Sequence, residues 1–299
     1  MIDMLEPVMA RIIKKFLASL VTLLLTPLPV FADITPDEAK IIRDEIEAET
    51  RCYVSPGPEK VGPRAICVWR PANAGADLLP TLYMADGMIG IYVAAIPLKR
   101  AIESGELAPL MVIGLDPQAD PEERAEEYVR HFHGPKSYEA HNRWFVDYVI
   151  PWAEGTRKAA PDPAKRYIGG FSNGADWATT TAAEHADLFA GVLVHSPMMT
   201  KTKTVGYWQE TGANTLRWVV SGGTEEISGT IKKKAELPKK LASSMAASGA
   251  PVRVCIGKWA HEPRAWRLIS GGSITWMMQL GDPAVVTNSI EAKSCASPS

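Results

Sequence analysis

Along most of this chain the apolar residues come in short unbroken runs, and the segments between them mix polar and apolar positions. Runs without alternation are what strands covered on both faces look like, so they predict a mainly parallel sheet. Residues 65–71, 79–88, 109–116, 165–169, 191–197, 215–223 and 251–257 read this way, the second running into a turn. Helical spacing is read over 33–49, where Ile34, Ile41, Ile42 and Ile46 recur, and in segments that include 98–103, 143–152, 175–185 and 241–247. A closing helix is read over 263–280, bent near Gly271 and Gly272, while 53–63 reads as a turn and the tail from Gly281 has no evident role. Neither a repeat nor a long linker interrupts the rhythm. The economical architecture is one doubly wound α/β domain over 33–299.

The first 32 residues read differently. Arg11, Lys14 and Lys15 precede the apolar run 16–25, and Val30-Phe31-Ala32 offers the small residues a signal peptidase reads, which predicts a signal peptide removed before Asp33. Met9 is a second candidate start. The apolar run is short for a bilayer span and Pro27 and Pro29 break its end, so a retained anchor is the weaker reading. Export predicts a periplasmic or secreted protein. In such a compartment four cysteines suggest disulfides, and Cys52 with Cys67 and Cys255 with Cys295 are the preferred pairs, the first near in sequence and the second pinning the tail. Free buried thiols are the other reading.

Composition narrows the function classes. The chain has 299 residues, 46% hydrophobic, enough for a substantial core, and a formal net charge of -2 gives no reason to expect nucleic acid. Lys232-Lys233-Lys234 reads as a solvated helix face. Neither a dinucleotide fingerprint nor a phosphate loop is present, which predicts no cofactor. His131-Phe132-His133 is read as a solvated loop pair, and no metal site is predicted.

The stretch that carries chemistry is Gly170-Phe171-Ser172-Asn173-Gly174, which fits the G-x-S-x-G turn that exposes a serine between a strand and a helix. A small-residue turn with a capping serine is the bland alternative. Ser172, Glu226 and His261 each follow a predicted strand, in the order nucleophile, acid, base that α/β-hydrolases use. An imidazole at His261 would take the hydroxyl proton of Ser172, and a carboxylate behind it would fix the tautomer. Glu226 is the first choice for that acid and Glu225 the second. Backbone N–H groups of Asn173 and Met88 are the candidate oxyanion donors. His195 is read as a pocket wall, and of the aromatics Trp177, Trp208, Trp259 and Trp266, Trp259 is singled out for the pocket because it sits beside the base. His141 and His185 read as ordinary packing or surface residues.

In order, Tyr83-Met84-Ala85-Asp86-Gly87, 112–116, 124–128, the serine turn, His195-Ser196-Pro197, Gly222-Gly223-Thr224-Glu225-Glu226 and His261-Glu262-Pro263-Arg264-Ala265-Trp266 resemble the putative-esterase family of α/β-hydrolases. That family includes enterochelin (siderophore) esterases, S-formylglutathione hydrolase, feruloyl and acetylxylan esterases and mycolyltransferases. The resemblance covers about residues 60–280. It implies an α/β-hydrolase fold and a loop-fixing ion pair between Arg124 and Glu127. Two departures stand out: Ala175 where many relatives have a glycine, and Trp259-Ala260 where many have glycines before the histidine.

Together these readings predict an exported serine esterase that acts through an acyl-enzyme on a small-molecule or polysaccharide-linked ester, siderophore lactones and plant cell-wall esters being the leading classes. Two rivals share the fold: an acyltransferase with the same triad, and a non-catalytic binding protein. Oligomeric state is not legible in the sequence.

Overall fold

A computed structural model describes residues 36–59, 62–198, 204–226, 236–281 and 295–296. The predicted signal peptide, Ile34 and the lysine run 232–234 lie outside the described residues. The sequence expects its first helix over 33–49, and α1 is described over Pro36–Glu49. It turns Ala39, Ile42 and Ile46 inward at helical spacing, while Ile41, one position off the stripe, stays 55% exposed.

The sheet is built from β1 (Thr50–Ser55), β2 (Arg64–Trp69), β3 (Thr81–Ala85), β4 (Met111–Leu115), β5 (Arg166–Phe171), β6 (Gly191–His195), β7 (Arg217–Gly223), β8 (Val252–Gly257) and the short β9 (Cys295–Ala296). Their spatial order is β1-β2-β4-β3-β5-β6-β7-β8-β9. From β4 to β8 every neighbouring pair is parallel, and β1, β2 and β9 add antiparallel edges. Strands β3 to β6 are buried along their whole length, which explains their unbroken apolar runs.

Connecting helices are α2 (Gly87–Ala95), α3 (Lys99–Glu103), α4 (Pro121–Tyr128), α5 (Lys136–Trp144), α6 (Ile150–Thr156), α7 (Asn173–Glu184), α8 (Val205–Glu210), α9 (Glu236–Ala247) and α10 (Pro263–Met278). α2 packs on α10, β2 and β4, while α7 packs on β5, β6 and α4, so helices cover the sheet on both faces as the doubly wound reading requires. Between α5 and α6 the residues Phe145–Val149 form a π-helical turn.

Two local expectations change. Residues 50–55 form an edge strand where the sequence suggests a turn beginning at Tyr53, because most of its side chains face solvent and leave no hydrophobic run. α10 runs continuously through Gly271 and Gly272, both buried, instead of bending there. The preferred cysteine pairs form: Cys295 joins Cys255 across β8 and β9 and so pins the tail, and Cys52 joins Cys67 across β1 and β2. Both bonds join directly opposed residues.

Candidate active site

Strand order reverses direction at β3, with β4 on one side and β5 on the other, and open α/β sheets bind ligands at the carboxyl ends of strands beside such a reversal. β5 ends at Phe171, and Ser172 makes the turn with φ 56° and ψ −130°, a backbone region that costs a non-glycine residue about 1–3 kcal/mol. Its N–H is tied to the His195 carbonyl at 2.9 Å. The flanking glycines are sterically required. A Cβ at Gly170 would lie 2.4 Å from the Gly174 backbone, and one at Gly174 would lie 2.6 Å from the Ala85 Cβ. Through that second contact the start of α7 rests on the end of β3.

There α2 begins, with Asp86 in the left-handed region at φ 65°. The Asp86 carboxylate takes a two-pronged contact from Arg124, Nε to Oδ1 at 2.6 Å and Nη2 to Oδ2 at 2.8 Å, and its N–H donates to the Tyr128 hydroxyl at 3.0 Å. α2 and α7 thus start side by side on adjacent strands. The N–H groups of Met88 and Asn173 belong to first turns, which have no intrahelical acceptor.

β7 ends in Gly222-Gly223, and Glu226 turns back under it. The Gly223 N–H donates to Glu226 Oε1 at 2.6 Å, Ser196 Oγ donates to the same oxygen at 2.5 Å, and Oε2 lies 3.0 Å from His261 Nδ1. Burial pushes the Glu226 carboxyl up, but the contacts of His261, Ser196 and the Gly223 N–H outweigh it and hold the group below its ordinary value. Its side chain is 2% exposed and that of His261 20%. Glu225 instead reaches Lys258 at 3.5 Å on the surface. Of the two adjacent glutamates, it is Glu226 that meets the imidazole.

Trp266, in the first turn of α10, joins the two halves of the site. Its ring stacks on Phe171 at 4.4 Å, presents to the His261 ring edge-on at 4.9 Å, and its Nε1 donates to Ser196 Oγ at 2.8 Å. The residue before Ser172 is therefore one aromatic ring from His261. Among the described residues the Ser172 hydroxyl has no hydrogen-bond partner; such contacts are commonly long without substrate and tighten in the bound complex.

The family model described as "Putative esterase" matches residues 62–261. The chain belongs to that family. It is accordingly a hydrolase of ester bonds. No curated protein matches it. Among solved structures, siderophore hydrolase EstA from Aspergillus nidulans is 17% identical, with a TM-score of 0.61 over 84% of this chain and 98% of that one. A ferulic acid esterase is 17% identical, at 0.60 over 80% and 98%. The enterobactin esterase FES from Shigella flexneri is 14% identical, at 0.56 over 77% of this chain and 58% of that one. At such identities the likeness is one of fold.

Several readings of this esterase's sequence need correction. Arg124 and Glu127 do not pair: Arg124 holds Asp86, and Glu127 accepts from Arg64 Nη2 at 2.9 Å, so one turn of α4 clamps two different loops. His195 does not line a pocket. It is fully buried, its Nδ1 2.7 Å from Ser221 Oγ and its Nε2 2.9 Å from Ser270 Oγ, and burial pushes it down to about 3. Trp259, 6% exposed, packs its ring against Gly223 and fastens the His261 loop to β7. Trp177 and Trp208 are core residues. Ser196 and Trp266 were not assigned to the site by sequence reasoning. The signal was present in Ser196, which follows the apolar run 191–194 and His195 before a proline, and in Trp266, which falls one helical turn beyond Glu262.

Proposed function

We propose that this esterase works through Ser172 as nucleophile, His261 as general base and Glu226 as the carboxylate behind it. Ser172 Oγ attacks the ester carbonyl carbon while its proton passes to the free nitrogen of His261, Nε2. The tetrahedral oxyanion is held by the N–H groups of Asn173 and Met88. Collapse expels the alcohol, which takes the proton from the imidazolium and leaves an acyl-serine. Water, deprotonated by the same imidazole, then attacks the acyl carbon and regenerates the hydroxyl.

The observation that carries this reading is the Glu226–His261 contact standing one ring away from Phe171, the residue before a serine at φ 56°. Nδ1 facing a carboxylate leaves Nε2 to accept a proton. Export is supported by the predicted signal peptide and by the two disulfides. Among the described residues no helix is long and apolar enough to cross a membrane. Siderophore and feruloyl esters are the substrate classes to try first, since the structural neighbours are named for them.

The test is labelling with a fluorophosphonate and turnover of p-nitrophenyl esters of graded acyl length beside feruloyl and siderophore esters. Labelling at Ser172 with hydrolysis of at least one ester supports the reading. A folded protein that neither labels nor turns over any ester removes it.

A further inference from the structure

A cavity lies at the opposite edge of the sheet from Ser172. Trp69 pairs with Val112 near the start of β4, so Arg70 lies beyond the amino-terminal ends of the parallel strands, and Lys158 joins the same edge by accepting the Leu79 N–H at 3.0 Å. Five or six residues of strand, about 3.3 Å each, separate this edge from Ser172. The cavity is about 400 Å³ in volume, and its lining includes Arg51, Arg70, Arg157, Lys158, Glu49 and Tyr53.

Four cations gather in this lining against one carboxylate. The whole chain balances 32 basic against 34 acidic residues, and elsewhere Lys99, Arg100, Arg124, Arg130 and Arg166 are each held by a carboxylate. Among the described residues none of the four cations lining this cavity has a carboxylate within ion-pair distance. Glu49, the one acidic residue of the lining, is already committed to Lys99 Nζ at 2.6 Å and Trp69 Nε1 at 2.9 Å.

The guanidinium groups are positioned as well as unpaired. Arg70 is pinned by Nη2 donating to the Gly75 and Asp77 carbonyls at 2.9 and 2.7 Å, while its Nη1 is buried with no acceptor. Burial pushes the Arg70 guanidinium below its ordinary value, and attraction to Asp77 does not offset it. Arg157 Cζ sits over the Tyr53 ring at 3.8 Å and over the Trp152 ring at 4.9 Å, and its Nε is buried without an acceptor. A guanidinium held over aromatic rings keeps N–H donors that fit the oxygens of a carboxylate or phosphate.

We propose that this cavity binds a compact multivalent oxyanion, with carboxylate or phosphate groups, at a site separate from Ser172. The charge of such a ligand offsets cations that no protein carboxylate neutralises. A ligand held at the far edge of the sheet is not the ester under attack, so the inference stands apart from the catalytic reading.

Isothermal titration calorimetry with citrate and with pyrophosphate, in low-salt buffer and with acetate as the monovalent control, tests it. At least one of the two binds measurably more tightly than acetate, and their ratio tells carboxylate from phosphate. Lys158→Asn removes a charge at φ 67°, a conformation asparagine tolerates, and Arg51→Gln removes one from an exposed side chain. The double variant weakens binding about tenfold or more, whereas Ser172→Ala leaves it unchanged. Silence from both probes, binding no tighter than that of acetate, or equal affinity in the double variant overturns the proposal.

Discussion

Ser196 donates its hydroxyl to Glu226 Oε1 over 2.5 Å while the other oxygen of that carboxylate faces His261 Nδ1 at 3.0 Å. The serine is held for this at φ 49°, with the Trp266 indole donating to its oxygen. It acts on the proposed base through the acid. Glu226 is held below its ordinary value, so its favourable contribution is present at neutral pH and is lost as pH falls through the folded-state pKa. Ser196→Ala removes one of the contacts that lower it. A hydrogen bond to a charged group is worth about 1.5–3 kcal/mol, so kcat falls by about ten- to a hundredfold, KM changes little, and the acid limb of the kcat profile moves to higher pH. An unmoved limb would leave Ser196 a purely structural residue.

Ser172 separates activity from stability. Ser172→Ala and Ser172→Gly both abolish labelling and turnover, but only glycine relieves the positive φ. Part of the 1–3 kcal/mol of local strain is returned in the glycine variant, less the extra chain entropy that glycine brings to the unfolded state, for a net gain of about 1 kcal/mol. Thermal melts should place Ser172→Gly about 2–4 °C above Ser172→Ala. Equal melting temperatures would show that the turn is not strained.

Arg124 tests how the proposed oxyanion loop is held. Arg124→Met leaves the Asp86 carboxylate, whose side chain is 8% exposed, without its fork of donors. Breaking a buried pair from one side costs about 3 kcal/mol, and because Asp86 starts the helix that carries Met88, turnover falls along with stability. Arg124→Lys restores charge without the two-pronged geometry and recovers less than half of the activity loss. Chemical denaturation beside steady-state kinetics reads both effects, and full recovery by lysine would refute the geometric part.

The two disulfides differ in the loops they close. They span separations of 15 and 40 residues, for which loop-closure entropy gives about 3 and about 4 kcal/mol. Replacing Cys255 and Cys295 together by serine therefore lowers the melting temperature more than replacing Cys52 and Cys67. Melting the two double variants beside the parent, with and without reductant, checks the order; reductant should lower each double variant further, because each keeps one bond.

What the sequence determined by itself is local. Unbroken apolar runs such as 112–115 and 191–194 mark strands because burial on both faces excludes polar side chains. Gly170 and Gly174 mark the serine turn because no side chain fits there. Where the local signal fails, the reason is tertiary. Gly87–Ala95 is apolar on every side, its exposed Ile89 included, although only the faces against α10 and the sheet are buried, so it carries no helical period. Residues 50–55 are too exposed to form a run.

Only the folded chain could choose between Glu225 and Glu226, since neighbours on one loop differ in nothing but the direction each side chain takes. The same holds for Arg124 and Glu127, which a helix turn places near each other yet which are claimed by Asp86 and Arg64 from distant strands. His195 and Trp266 exchange their expected places for the same reason. The end of a strand tells that a side chain lies near the working edge of the sheet, and only packing against Ser221, Ser270 and Phe171 decides whether it is sealed beneath that edge or set between the serine and the histidine.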